Sequence, residues 1–224
     1  MCGRFTLFED LHKILKRFEI NLSIEEELYT QRYNIAPTQS VLSVINDGKK
    51  NRLGYLRWGL IPPWAKDEKV GSKLINARAE TLAEKPSFKK AYSHKRCLVI
   101  ANSFYEWKKV NGKKTPICIK LKNNELFAMA GLWESWISPT GQKIHSCSII
   151  TTTPNELMSN IHDRMPVILP PEQENIWLDR NITDYNTLNH MLKPLESKLM
   201  EAYEVSTLVN SPKNNTPELI QAIC

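Results

Sequence analysis

Apolar residues at Leu7, Leu11, Ile14, Leu15 and Phe18 recur with the spacing of one helical face, which predicts an amphipathic helix over Phe8 to Phe18. Beyond it the pattern changes to short β-branched or apolar runs bounded by Asn, Asp, Gly and Lys. Ser40 to Ile45, Arg96 to Ala101, Pro116 to Leu121, Glu125 to Gly131 and Lys143 to Thr152 therefore read as strands, with Asn111-Gly112 and Asn123-Asn124 as hairpin turns. Helical character returns late in the chain. Pro171 and Glu172 open a helix running to Leu178, Asp184 to Leu192 continues it, and Thr216-Pro217-Glu218 supplies an N-cap and an N1 proline for a last short helix. The expected fold class is α+β, with a largely antiparallel β core in barrel-like sheets flanked by short helices. No low-complexity linker or fixed-period repeat interrupts it, so residues 1–224 are expected to form a single domain.

Composition adds a core and a charge. With 224 residues, 42% of them hydrophobic, the chain has enough apolar surface for one sizeable core. Its 30 Lys and Arg against 24 Asp and Glu give a net charge of +6, which suits a polyanionic partner. The excess is gathered at Lys66 to Lys69, Lys85 to Arg96 and Lys108 to Lys114, beside Trp64 and Trp107. Cations that hold phosphates, interleaved with rings that stack on bases, match the needs of single-stranded nucleic acid. Solvated lysines are the plainer explanation of the same runs. Cysteines at 2, 97, 118, 147 and 224 form no CxxC pair and leave one over, so they suggest neither a zinc site nor a disulfide framework. Cys97, Cys118 and Cys147 fall in apolar runs and read as inert core thiols. Without a signal-type apolar segment or any membrane-length stretch, a reduced, cytoplasmic protein with no membrane span is expected.

Candidate chemistry begins at Met1-Cys2-Gly3. Removal of an initiator Met before a small residue makes Cys2 an N-terminal 1,2-aminothiol. Its amine, of reference pKa about 7.7–8.0, and its thiol, of about 8.5, are both partly deprotonated near neutrality. With an aldehyde the amine condenses to an iminium and the tethered thiol closes a five-membered thiazolidine. Elsewhere, Glu106 sits between Tyr105 and Trp107 after an apolar run; in a partly dry cleft it becomes an acid or base near pH 7, and in water it is an ordinary strand-end carboxylate. His162 offers proton transfer or, beside Asp163 and Arg164, a structural hydrogen-bonding role. Asn76 does not titrate and acts only by orienting other groups. Arg78 is either a phosphate clamp or the partner of Glu80.

Met1 to Phe5, Tyr33 to Thr38, Trp58 to Trp64, Asn76 to Thr81, Phe104 to Trp107, Ala130 to Glu134, Ile161 to Leu169, Val205-Ser206 and Val209-Asn210 resemble, in order, the signatures of the SOS response-associated peptidase (SRAP) family of abasic-site processing proteins. The resemblance spans nearly the whole chain. It departs at Asn102-Ser103, where the family pattern carries an acidic residue and Gly. It implies a domain that binds single-stranded DNA and links itself to the abasic-site aldehyde through Cys2, with an accompanying lyase activity when β-elimination outruns ring closure. Carried over by position, Cys2 is the nucleophile, Asn76 an orienting amide, and Glu106 and His162 the proton-transfer groups, whose division of labour the sequence leaves open. Arg4, Arg78 and Arg164 match phosphate-gripping positions, and Trp64 and Trp107 match aromatics along the DNA path. No metal or cofactor is implied, and a monomer is expected. The competing enzymatic reading takes the family's peptidase label literally: Cys2 as the nucleophile of a thiol peptidase or N-terminal-nucleophile hydrolase, removal of Met1 included. A third makes the chain a non-catalytic reader of single-stranded DNA.

Overall fold

In the computed structural model, which describes residues 2–20, 29–110 and 112–223, thirteen strands and five short α-helices form an α+β fold around one main core. The strands are β1 (Arg4–Leu7), β2 (Arg32–Ile35), β3 (Ser40–Asn46), β4 (Asn51–Trp58), β5 (Asn76–Arg78), β6 (Arg96–Ala101), β7 (Ser103–Val110), β8 (Lys113–Leu121), β9 (Phe127–Ile137), β10 (Lys143–Thr152), β11 (Met165–Pro166), β12 (Ile168–Leu169) and β13 (Met200–Glu204). The helices are α1 (Leu11–Arg17), α2 (Lys89–His94), α3 (Glu156–Ser159), α4 (Pro171–Leu178) and α5 (Tyr185–His190). Met1, Asn111 and Cys224, which the sequence reading used, lie outside the described residues. Among the described residues no helix is long and apolar enough to cross a membrane.

Strands β10, β4, β3, β6 and β9 pair in that order, and β9 pairs back to β10, so the ring closes into a five-stranded barrel. Closure removes the open edges that long apolar strands would otherwise expose. The parallel pairings of β10 are decisive for the site: β4 leaves β10 after Cys147↔Trp58, and β5 takes up the vacated edge at Ile149↔Asn76 and Thr151↔Arg78. The second sheet, β13-β8-β7-β1-β2, lies against the barrel. Fully buried Phe5 meets Trp58 edge-on at 5.2 Å and Phe104 meets Phe127 at 6.5 Å, so apolar side chains on alternate positions of β1 and β7 seal the seam. The opposite face of β7 carries Tyr105, which joins Cys118, Val205, Val209 and Leu219 in a smaller cluster beneath the C-terminal segment.

Several elements differ from their sequence expectations for identifiable reasons. Helix α1 starts at Leu11 rather than Phe8 because Asp10 caps it, accepting from the backbone N–H groups of His12 and Lys13. Phe8 and Glu9 instead donate to Asn102 Oδ1 at 2.8 and 3.2 Å, so Asn102 ties down the chain entering α1. Its neighbour Ser103 bonds Thr6 across the β1–β7 pair at 2.7 Å. Lys113 pairs with Val110, so the chain reverses within two residues there; Gly112, at φ 79°, provides the left-handed backbone. Asn124 turns the chain too, at φ 58°, but β8 and β9 do not pair, so Asn123-Asn124 is a crossover between sheets and not a hairpin. Helix α4 begins with Pro171 at its first turn, as expected.

Between β4 and β5 the chain makes an excursion that ends where it began. Gly59, at φ 127°, and Gly71 bring their backbones together: a Cβ on Gly71 would stand 2.5 Å from the Gly59 carbonyl oxygen. Trp136 Nε1 donates to Ala65 O at 2.7 Å and holds the far side of the excursion, leaving Trp64 63% exposed. Gly71→Ala is expected to cost about 1–3 kcal/mol, because the obstruction is backbone and does not rotate away. A lowered urea midpoint with unchanged slope checks this.

Candidate active site

Four side chains from separate elements converge at the end of the seam. Cys2 precedes β1 and is fully buried. Its carbonyl accepts from Asn76 Nδ2 at 2.9 Å, so the amide delivered by β5 along the barrel edge fixes the first turn of chain. The Cys2 thiol faces Arg4 O at 3.9 Å. Arg4 pairs with Tyr105, so continuing the antiparallel register sets Gly3 opposite Glu106. Burial, reinforced by the Glu106 carboxylate, pushes the Cys2 thiol well above its ordinary range.

Glu106 is not at a strand end; it lies within β7, on the face it shares with Phe104, and is 2% exposed. Burial pushes its carboxyl up to about 7, with Asp163 adding to the shift, so it exchanges protons near neutral pH. His162 Nε2 stands 3.9 Å from Glu106 Oε2. His162 is placed by the end of α3: Asn155 caps that helix by accepting from Met158 N, and His162 N donates to Met158 O at 2.8 Å. Its other ring nitrogen has two neighbours of opposite kind. Arg164 N–H points at Nδ1 at 3.1 Å and Asp163 Oδ1 lies 2.8 Å from it. A bare Nδ1 accepts from Arg164 and a protonated Nδ1 donates to Asp163, so the ring is held in either state. Burial lowers its pKa, which favours the neutral ring at pH 7.

The arginines divide into two held and one open. Arg4 donates to Asn34 Oδ1 at 2.7 Å and to the carbonyls of Val209 and Asn210 at 2.6 and 3.1 Å. Its guanidinium also packs 5.8 Å from the Trp107 ring, whose Nε1 donates to Asn210 Oδ1 at 2.7 Å. Arg164 forms a bidentate pair with Glu80 at 2.7 and 2.9 Å and donates to Thr151 O at 2.6 Å. Glu80 is thus the partner of Arg164, although Arg78 also helps hold its carboxyl low. Arg78 is exposed on β5, opposite Thr151, so Arg78 and Arg164 flank the same stretch of β10. Trp64 stands exposed on the excursion between β4 and β5.

The geometry puts the Cys2 thiol, an anchoring amide, a near-neutral carboxyl and a histidine together, and the sequence matches the family described as SOS response associated peptidase (SRAP) over residues 1–212. The chain belongs to the SRAP family. It is similar to the abasic site processing protein YoqW of Bacillus subtilis (strain 168), with 58% identity over 99% of this chain and 100% of that protein. It is also similar to the abasic site processing protein HMCES of Xenopus tropicalis, with 32% identity over 89% of this chain and 68% of that protein. A crystal structure of a protein from Bacteroides thetaiotaomicron shares the fold at TM-score 0.91, with 28% identity over the whole of both chains.

Within the SRAP fold, two residues that support the site, Asn34 and Asn210, carried no role of their own in the sequence reading, and a third, Glu80, serves a different arginine from the one expected. Asn34 uses its Nδ2 on the carbonyls of Val209, Ser211 and Asn214, and with Asn210 it pins the C-terminal segment against Arg4 and Trp107. Glu80 holds Arg164. No local signal marked Asn34, which sits in the mixed strand Arg32-Tyr33-Asn34-Ile35; its burial, costly for an amide unless it is hydrogen-bonded, shows only in the fold. An open cleft of about 640 Å³ adjoins the centre, with Glu106, Trp107 and His162 among its walls.

Proposed function

We propose that this chain traps abasic sites in single-stranded DNA by forming a thiazolidine between Cys2, N-terminal after loss of Met1, and the C1′ aldehyde of the opened sugar. The observation that carries this reading is the meeting of Asn76 and Glu106 at Cys2, with His162 behind the carboxyl. The names of the curated relatives supply the substrate.

The order of steps follows from the proton affinities. The buried thiol is protonated at neutral pH, so the amine attacks C1′ first and gives a carbinolamine. Protonated Glu106 donates to the carbinolamine hydroxyl, which leaves as water; the C–O bond breaks and the iminium forms. The resulting Glu106 carboxylate accepts the proton of the Cys2 thiol as sulfur bonds to C1′, which restores its starting state. Aldehyde and aminothiol thereby give thiazolidine plus one water. His162, neutral and partly exposed, serves sugar-ring opening by accepting the C1′ hydroxyl proton and donating to O4′. If closure lags, loss of the C2′ proton from the iminium cleaves the strand, which gives the lyase activity.

Arg78 and Trp64, open to solvent, are assigned to the DNA path. Arg4 and Trp107 line the approach to Cys2, and Arg164 exchanges Glu80 for phosphate. The peptidase alternative requires a Cys2 thiolate at the outset, before any iminium is present to draw the sulfur in, and burial holds the thiol protonated. The neighbour that bears on the Cys2 thiol is a carboxylate that raises its pKa further, which favours the amine-first route.

Incubation with an abasic oligonucleotide, followed by denaturing electrophoresis and intact mass, tests the reading. The expected species is protein lacking Met1 plus oligonucleotide minus one water. Active protein that retains Met1 overturns it.

A further inference from the structure

The cleft beside Glu106 and His162 runs out along the β7–β8 hairpin, where Lys108, Lys109 and Lys114 line it. Lys109 and Lys114 are direct cross-strand partners. Side chains so paired share one face with Cβ atoms about 4.5–5.5 Å apart, and like charges there repel. Among the described residues none of the three lysines has a carboxylate partner within 4.0 Å. The hairpin therefore concentrates unneutralised positive charge against its own stability, which points to an anion supplied from outside. By strand alternation Lys108 shares the face of Glu106, whereas Lys109 and Lys114 share that of Trp107 and Arg4. Lys108 lies two residues beyond Glu106 and Lys109 three, which at about 3.3 Å per residue sets them roughly 7 and 10 Å along the strand from the proton-transfer carboxyl.

We propose that this hairpin is a phosphate-binding arm that grips single-stranded DNA on one side of the reacting sugar, an inference that rests on the function proposed above for the adjoining centre. A polyanion with evenly spaced phosphates fits a file of cations that begins at the centre and ends at an exposed tip. A small anionic ligand would call on the two paired lysines alone. The arm contacts only nucleotides on the flank that leaves along the cleft, so its contribution depends on which side of the lesion the strand extends.

The test is anisotropy with single strands carrying a tetrahydrofuran abasic analogue, which has no aldehyde, placed at the 5′ end, the 3′ end or the middle. The Lys108→Gln/Lys109→Gln/Lys114→Gln protein is compared with wild type and with the triple Lys→Arg protein over a salt series. With three contacts at about 0.7 each, the expected slope of log affinity against log salt is shallower by about 2, with roughly tenfold weaker binding at low salt. The loss should be confined to strands that extend on one side, and the Arg variant should restore it. An unchanged slope, or equal loss on both flanks, overturns the arm. Flank-dependent binding without any covalent adduct from wild type on true abasic DNA keeps the arm and overturns the chemistry. Covalent adduct with an unchanged slope does the reverse.

Discussion

Cys2→Ser protein, with Met1 removed, is expected to lose heat-stable adduct on abasic DNA by about 100-fold or more while keeping a borohydride-trappable one. Serine preserves the α-amine and the short side chain that permits removal of the initiator, so iminium formation proceeds. Its hydroxyl is a far weaker nucleophile than the thiol, and the ring it would close reopens readily. The iminium then persists, and strand cleavage by β-elimination should rise relative to adduct. Asn76, which holds the Cys2 carbonyl at 2.9 Å, keeps its partner in the variant, so placement of the amine is retained. Denaturing gels run with and without borohydride separate the two adducts. An equally durable adduct without reduction would show that sulfur is not part of the product.

Much of the scaffold was legible because its strands are runs of apolar, small and β-branched residues bounded by turn formers. Arg96–Ala101 and Lys143–Thr152 emerge with their expected bounds: the first is buried along its whole length, and the second, exposed only over its first three residues, buries small Ser, Cys and Thr side chains alongside its isoleucines. The strands that build the site were hidden. β1 alternates polar and apolar residues but over only the four positions Arg4 to Leu7, too few to stand out, and in β7 the run Phe104-Tyr105-Glu106-Trp107 breaks the alternation that marks a half-buried strand. The hairpin expected at Asn123-Asn124 is absent, because turn residues mark a bend but no local signal says which strand lies next, and here the chain changes sheet. The site residues were found as motifs, whereas their pairing was not. That Asn76 serves the backbone of Cys2, and Glu80 the guanidinium of Arg164, depends on β5 replacing β4 along β10, a parallel contact invisible in the order of residues.

Glu106→Gln should make the protein more stable and much slower, and the two changes share one cause. In the folded chain the Glu106 carboxyl is raised to about 7, from 4.5 for an unhindered glutamate, chiefly because it is buried. The native state thus binds more protons than the unfolded chain between those values, so the stability this group contributes is fully present below about pH 4.5 and is lost as pH rises towards 7. Gln does not titrate. Relative to wild type, the variant should be equally stable at pH 4 and more stable at pH 8, by an amount on the order of 2–3 kcal/mol. Denaturant melts across that range check the sign. In adduct formation the same residue must carry its proton to expel water and lack it to receive the thiol proton. Wild-type rates should therefore peak near neutrality, rising as the Cys2 amine deprotonates and falling as Glu106 loses its proton. Gln keeps the size and a hydrogen bond but relays no proton, so the rate should drop about 10²-fold or more and the falling limb at high pH should vanish. A variant that is stabilised yet retains the wild-type rate and pH profile would make the buried carboxyl a structural feature and move proton transfer to His162 alone.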